Sequence, residues 1–140
     1  MKIIYSLLII LGLALIGGCQ SSEEDTMVLL DEEVKEVNLS NSVNVGEVNP
    51  NLFFSYKEKK AIKVFENAIK TAVKKQTTIE TIPDYDVLVE YVGGLPTHAI
   101  HLWLGEEDEK SILMYMVGEG ETYVTSSKAT NELRKLLLSE

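Results

Sequence analysis

The sequence predicts an α+β fold. An antiparallel meander of four to five strands packs with one long helix and a C-terminal helix, in the order β-α-β-β-β-β-α. Three observations carry this. Apolar residues recur with a 3.6-residue period between residues 56 and 76. From residue 86 the period changes to 2, in runs separated by short glycine-bearing turns. A leucine-bearing segment with helical spacing then closes the chain at 128–138. A helix laid on an antiparallel sheet is the arrangement that buries both kinds of apolar face.

Taken in order, residues 1–18 read as a bacterial secretory signal, with Lys2 as the basic end and an apolar run from Ile3 to Ile16. That run of 14 residues falls short of the roughly 20 needed to cross the hydrocarbon core. Residues 19–33 (CQSSEEDTMVLLDEE) read as an acidic tether leading into the fold, and 34–140 as a single domain. A tether of this length reaches about 20 Å as a flexible coil and at most about 50 Å extended.

Within the domain, alternation broken by Asn and Ser over 34–48 suggests one or two short strands. Ser55 and Glu58 have the spacing of a capping box at a helix start. Ala61, Ile62, Phe65, Ala68, Ile69, Ala72 and Val73 then share one helical face, with Lys59, Lys63, Lys70 and Lys74 opposite. Strands are expected at Asp86–Val92, His98–Leu104, Ile112–Val117 and Thr122–Thr125, which are rich in β-branched, aromatic and aliphatic residues. The links between them are short enough to join antiparallel neighbours. Ser126 or Ser127 can cap the last helix, whose Ala129, Leu133, Leu136 and Leu137 share a face.

Ile16-Gly17-Gly18-Cys19 resembles the lipobox of bacterial lipoproteins, with Ile16 where leucine is commonest. The resemblance implies a diacylglycerol on the Cys19 sulfur, cleavage between Gly18 and Cys19, and acylation of the new amino group. More than one acyl chain is needed because a single chain holds a protein to a membrane only marginally. The lipobox, the short β segment, the long helix, the PDYDV strand start (Pro83 to Val87), the HLWL strand (His101 to Leu104) and the terminal leucine-rich helix together resemble the small YhfM-like lipoproteins of Bacillus and relatives. That resemblance supports the lipoprotein and fold readings. It brings no catalytic residues.

Enzymatic chemistry finds little footing. The formal charge of −9 argues against a nucleic-acid partner, and a single cysteine excludes an internal disulfide or a multi-cysteine metal site. His98 and His101, three apart on a strand, point to opposite faces and cannot close on one metal ion. Glu106 to Glu109 lacks the ligand spacing of a calcium loop and reads as a solvated acidic hairpin. Asp84 and Asp86 flank Tyr85 and read as turn formers after Pro83. No serine-nucleophile elbow or phosphate-binding glycine loop occurs, and no cofactor is implied. The expected function is therefore non-enzymatic: a lipid-anchored extracytoplasmic module that binds or regulates a partner at the outer face of the cytoplasmic membrane. The alternatives are a small envelope hydrolase without a linear motif, or a ligand- or peptide-binding accessory of a transporter.

Two features suggest contact surfaces. Residues 56–76 hold seven lysines against two glutamates, a patch suited to lipid head groups or an anionic wall polymer. On the strand His98–Leu104, Ile100, Leu102 and Leu104 should face the helices. His101 and Trp103 would then lie on the other face, with Glu90 of the preceding strand beside them. Tryptophan with a polar rim is the composition of binding hot spots, so these three are the expected partner-binding residues.

Overall fold

Seven strands, rather than four or five, form one antiparallel sheet in the computed structural model, which describes residues 24–139. The strands are β1 (Val34–Asn41), β2 (Phe54–Tyr56), β3 (Val73–Lys74), β4 (Tyr85–Tyr91), β5 (His98–Trp103), β6 (Ile112–Tyr115) and β7 (Thr122–Val124). Helix α1 (Lys59–Lys70) lies between β2 and β3, and α2 (Ser127–Leu138) ends the chain. The spatial order is β2-β1-β4-β5-β6-β7-β3. The α+β class and the antiparallel meander of β4 to β7 stand as expected. The extra strands are β2 and β3, only three and two residues long, too short to show a period of their own.

Those two strands also shorten the helix expected over 56–76. Ser55 pairs with Asn38 inside β2 and so cannot cap a helix. The helix starts one residue after Glu58, which occupies the capping position without a side-chain bond to the backbone. At the other end the Ala72 N–H returns to the Ile69 carbonyl. Val73 and Lys74 then pair with Val124 and Tyr123 of β7. The β-branched Val73 gains more from a ladder partner than from another helical turn.

Ala61, Ile62, Phe65, Ala68 and Ile69 are the buried face of α1, as the periodicity requires. They meet Val37, Leu39, Val87, Val89, Ile100, Leu102 and Leu113, which the strand pairings place on one face of the sheet. Helix α2 covers the same face beside α1 through Leu133 and Leu137. Its start is capped by Ser126, whose Oγ accepts the Ala129 N–H at 3.1 Å. A buried hydroxyl cluster of Ser111, Thr125 and Thr130, with contacts of 2.8 and 2.9 Å, ties α2 to the sheet. Between the helices and the sheet, Phe65, Ile69, Ile100, Leu102 and Leu133 line a void of about 10 Å³.

Part of the stretch expected as tether belongs to this core. Met27 and Leu29 are buried, the Met27 N–H donates to the Ala72 carbonyl at 3.0 Å, and the Lys74 N–H donates to the Asp25 carbonyl at 2.7 Å. Thr26 bridges Val73, so the arm covers the β3 edge of the sheet. The secretory signal, the Gly18–Cys19 cleavage point and Cys19 lie outside the described residues. No helix among the described residues is long and apolar enough to cross a membrane.

The core sets a stability prediction. Phe65 is 2% exposed and its ring lies 5.3 Å from that of Tyr56. Phe65→Ala is expected to cost about 3–5 kcal/mol in denaturant melts. Lys63→Ala, on the exposed face, should stay within about 0.5 kcal/mol. Equal effects would mean the helix presents a different face.

Candidate functional site

The sheet face away from the helices carries a polar row. Antiparallel register sets Ser40 opposite Asp86, Asp86 opposite His101, His101 opposite Met114, and Met114 opposite Thr122. Ser40, Asp86 and His101 have no exposed surface. A buried carboxylate must find donors, because leaving it unpaired would cost far more than any packing gain nearby. Asp86 finds two. His101 Nδ1 lies 3.0 Å from its Oδ1, and the Asn49 N–H donates to its Oδ2 at 2.9 Å.

The second ring nitrogen fixes the tautomer. The Gly46 N–H donates to His101 Nε2 at 2.8 Å, so Nε2 is the lone-pair nitrogen and Nδ1 carries the proton given to Asp86. Gly46 has φ +83, a backbone conformation that favours glycine, and it lets the chain turn its amide down onto the ring. Asn49 Nδ2 donates to the Asn41 carbonyl at 2.8 Å. Together these bonds clasp the 42–51 loop over the face. Within the row, Ser40 Oγ alone has no hydrogen-bond partner among the described residues.

A second loop covers the rest of the face. The Trp103 Nε1–H donates to the Thr81 carbonyl at 3.0 Å, and the indole is 8% exposed. The Thr77 N–H donates to Thr122 Oγ1 at 3.1 Å, and that hydroxyl donates in turn to the Lys75 carbonyl. The open face expected around His101 and Trp103 is therefore roofed, by residues 42–51 and 75–81. The two rings do meet, with centroids 5.9 Å apart.

Glu90 is not beside them. Register places Asp86, not Glu90, opposite His101, and Glu90 sits four residues further along β4, about 13 Å away at strand rise. Its Oε1 accepts from Asn38 Nδ2 at 2.7 Å. It borders a shallow cleft formed with Lys35 and the Gly93-Gly94 turn. Asp86 itself, read from sequence as a turn former, is the partner that the expected site lacked. Asp84 does act locally, its Oδ2 accepting the Leu104 N–H at 2.8 Å.

His98 points the other way, to the helix side, and belongs to an aromatic group with Tyr91 and Tyr115. The Leu30 N–H donates to the Tyr91 hydroxyl at 3.2 Å, and that hydroxyl lies 2.6 Å from His98 Nδ1, within hydrogen-bond distance. Burial holds the His98 imidazole below its ordinary range and pushes the Tyr91 and Tyr115 hydroxyls up. The Tyr115 hydroxyl bonds both the N–H and the carbonyl of Val28. This group fastens the N-terminal arm.

Fold and site together define an α+β protein whose antiparallel sheet holds two helices on one face and a clasped roof of loops on the other. The chain belongs to the YhfM protein family, which it matches over residues 24–140. A thioesterase-like protein from Clostridium sporogenes ATCC 15579, solved at 1.70 Å resolution, is similar in structure. The TM-score is 0.61 at 12% identity, covering 76% of this chain and 96% of that one. At this identity the likeness shows the fold. A comparison with curated proteins gives no match.

The clasp makes a direct prediction. Asp86→Ala strands the His101 Nδ1–H and the Asn49 N–H, each expected to cost about 1–3 kcal/mol. Hydrogen exchange at residues 42–51 should quicken more than at β5, because both anchors of the loop are lost or weakened. Val45→Ser, on the outer side of the same loop, should change stability by less than about 0.5 kcal/mol.

Proposed function

We propose that this protein is a lipid-anchored, extracytoplasmic and non-enzymatic module that binds or regulates a partner at the outer face of the cytoplasmic membrane. Its anchor is acylated Cys19, and its partner is an envelope protein, an anionic wall polymer or the membrane surface itself. The observation that carries the reading is the occupied state of the polar row. Asp86 and His101 are the two groups best suited to acid–base work, and both are spent on backbone amides of the 42–51 loop with no exposed surface. They hold a surface in shape rather than reach a substrate. The lipobox supplies the membrane location, and the arm at Glu24 to Leu30 supplies a fixed point where a tether meets the fold.

Mass spectrometry of the mature amino-terminal peptide tests the anchor. The expected species begins at Cys19 and carries a diacylglycerol and an acyl chain. A free thiol, or an intact 1–18 segment, overturns it.

One observation favours a hydrolase as the second reading. Aspartate on Nδ1 with a lone pair on Nε2 is the arrangement of a general base, and the structural neighbour is named thioesterase-like. Opening of the 42–51 loop would free Nε2. Turnover of an acyl thioester that His101→Gln abolishes, with the fold intact by circular dichroism, would establish this reading. Hydrolysis no faster than buffer leaves the binding module.

A further inference from the structure

We infer that protonation of His101 releases the tip of the 42–51 loop, residues 43–48, so that the roof over the polar row holds its shape only while the imidazole is neutral. The switch stands on the geometry of the clasp. Its use rests on the proposed reading, in which the clasped surface meets a partner, and makes that contact sensitive to pH.

The tip is tied down at a single point. Before it, the Ser42 N–H donates to the Asp84 carbonyl at 3.2 Å, and after it Asn49 bonds both Asp86 and the Asn41 carbonyl. Between these anchors, the bond from the Gly46 N–H to His101 Nε2 is the only one, among the described residues, from 43–48 to the sheet. The bonds of Ser42 Oγ to the Asn44 carbonyl and of the Val45 N–H to Asn44 Oδ1 stay inside the loop. All six residues of the tip are exposed, Val43, Val45 and Val48 among them, so packing adds little hold.

That one bond needs the lone pair on Nε2. A proton taken up there makes the ring an imidazolium, in which both nitrogens are donors. Two N–H groups would then face each other across 2.8 Å, and Gly46 must withdraw. The other side of the ring behaves in the opposite way. The bond from Nδ1 to Asp86 gains a full charge and strengthens. Protonation therefore leaves β4 and β5 paired and lets go of the tip alone.

The surroundings leave the decision to this pair. Asp86 on β4 is the charged side chain bonded to the ring. Ser40 on β1, Met114 on β6 and Trp103 on β5 bring no charge to it. Glu47, Lys75 and Glu80, the charged residues of the two covering loops, are exposed, and water damps their fields. Closure and protonation exclude one another, so the tip opens as pH falls. Opening coupled to one proton rises by at most about tenfold per pH unit. Released, the valines of the tip change from a fixed apolar patch to a mobile one, which is how a local charge change alters a contact surface.

The test reads amide exchange of the full chain by NMR, corrected for intrinsic rates, from about pH 7.5 to about pH 5.5, where imidazole ordinarily changes charge. The ring nitrogens of His101 are followed in the same samples. Opening at Gly46 is expected to rise at least about tenfold across this range, within the ceiling set by one proton, and to follow the charging of His101. Asn49 and the β5 amides should change less than about twofold, since their bonds survive. His101→Gln keeps a donor for Asp86 and an acceptor for Gly46 but takes up no proton, and should make opening at Gly46 independent of pH. A ring that stays neutral across the range overturns the switch, as does a ring that charges while Gly46 stays closed. Opening that keeps its pH dependence in His101→Gln overturns it too. If that variant does not fold, the match between ring charging and opening in the unaltered chain decides. None of these outcomes bears on the binding reading, since no partner is in the sample. A captured partner held equally at both ends of the range, with the switch working, overturns its use.

Discussion

One buried carboxylate organises half of this molecule. Asp86 sits in the middle of the sheet with no access to water, and an ion there is tolerable only with donors on its oxygens. The imidazole of His101 answers one oxygen and the backbone of Asn49 the other. Because His101 gives its proton inward, its outer nitrogen must accept, and the nearest amide that can turn to it is Gly46. The course of the loop from residue 42 to 51 follows from satisfying four polar atoms. The valines on its outer side face water because the inner side is committed to this task.

The placement of the helices makes such a roof necessary. Both α1 and α2 cover the same face, where Val87, Ile100, Leu102 and Leu113 form the hydrophobic core. The opposite face has no helix, yet it carries a tryptophan, a methionine and a buried ion. Loops close it instead, and loops can do so only by pairing their own backbone groups. Thr81 takes the indole N–H, and Thr122 takes and returns bonds with residues 75 and 77. A polar sheet face and an irregular cover are thus two sides of one requirement. The hydrogen bonds that fix the cover also make it a defined surface rather than a mobile fringe.

Most of this fold is legible in the sequence wherever a period has room to repeat. Twelve residues of α1 and the seven-residue β4 show theirs. The two- and three-residue strands β3 and β2 do not, and a spurious capping signal at Ser55 and Glu58 hides β2. Covering of the His101 and Trp103 face could not be read either, because a roof made by backbone amides leaves no side-chain pattern. The pairing of Asp86 with His101 was within reach. Gly93 and Gly94 both have positive φ, as the centre of a tight hairpin requires. Folding the sequence about that dipeptide sets 86 against 101 and leaves Glu90 close to the turn. The YhfM match confirms the family that the motif order resembles. The lipobox is read from sequence alone, since Cys19 lies outside the described residues.

The N-terminal arm has a mechanical meaning. Any tension on the chain ahead of Glu24 arrives first at Asp25 to Val28, whose bonds run to Ala72, Lys74 and Tyr115. Ala72 and Lys74 lie at the β3 edge and Tyr115 two strands in, on β6, all on the half of the sheet away from β2 and its apolar loop. Met27, only 1% exposed, acts as a stud seated in the body of the domain. Load is therefore delivered to the C-terminal end of α1 and to β6, and the clasped loop at the far edge lies outside the load path. Tension applied ahead of Glu24 would therefore strain the arm before it disturbed the shape of the opposite edge.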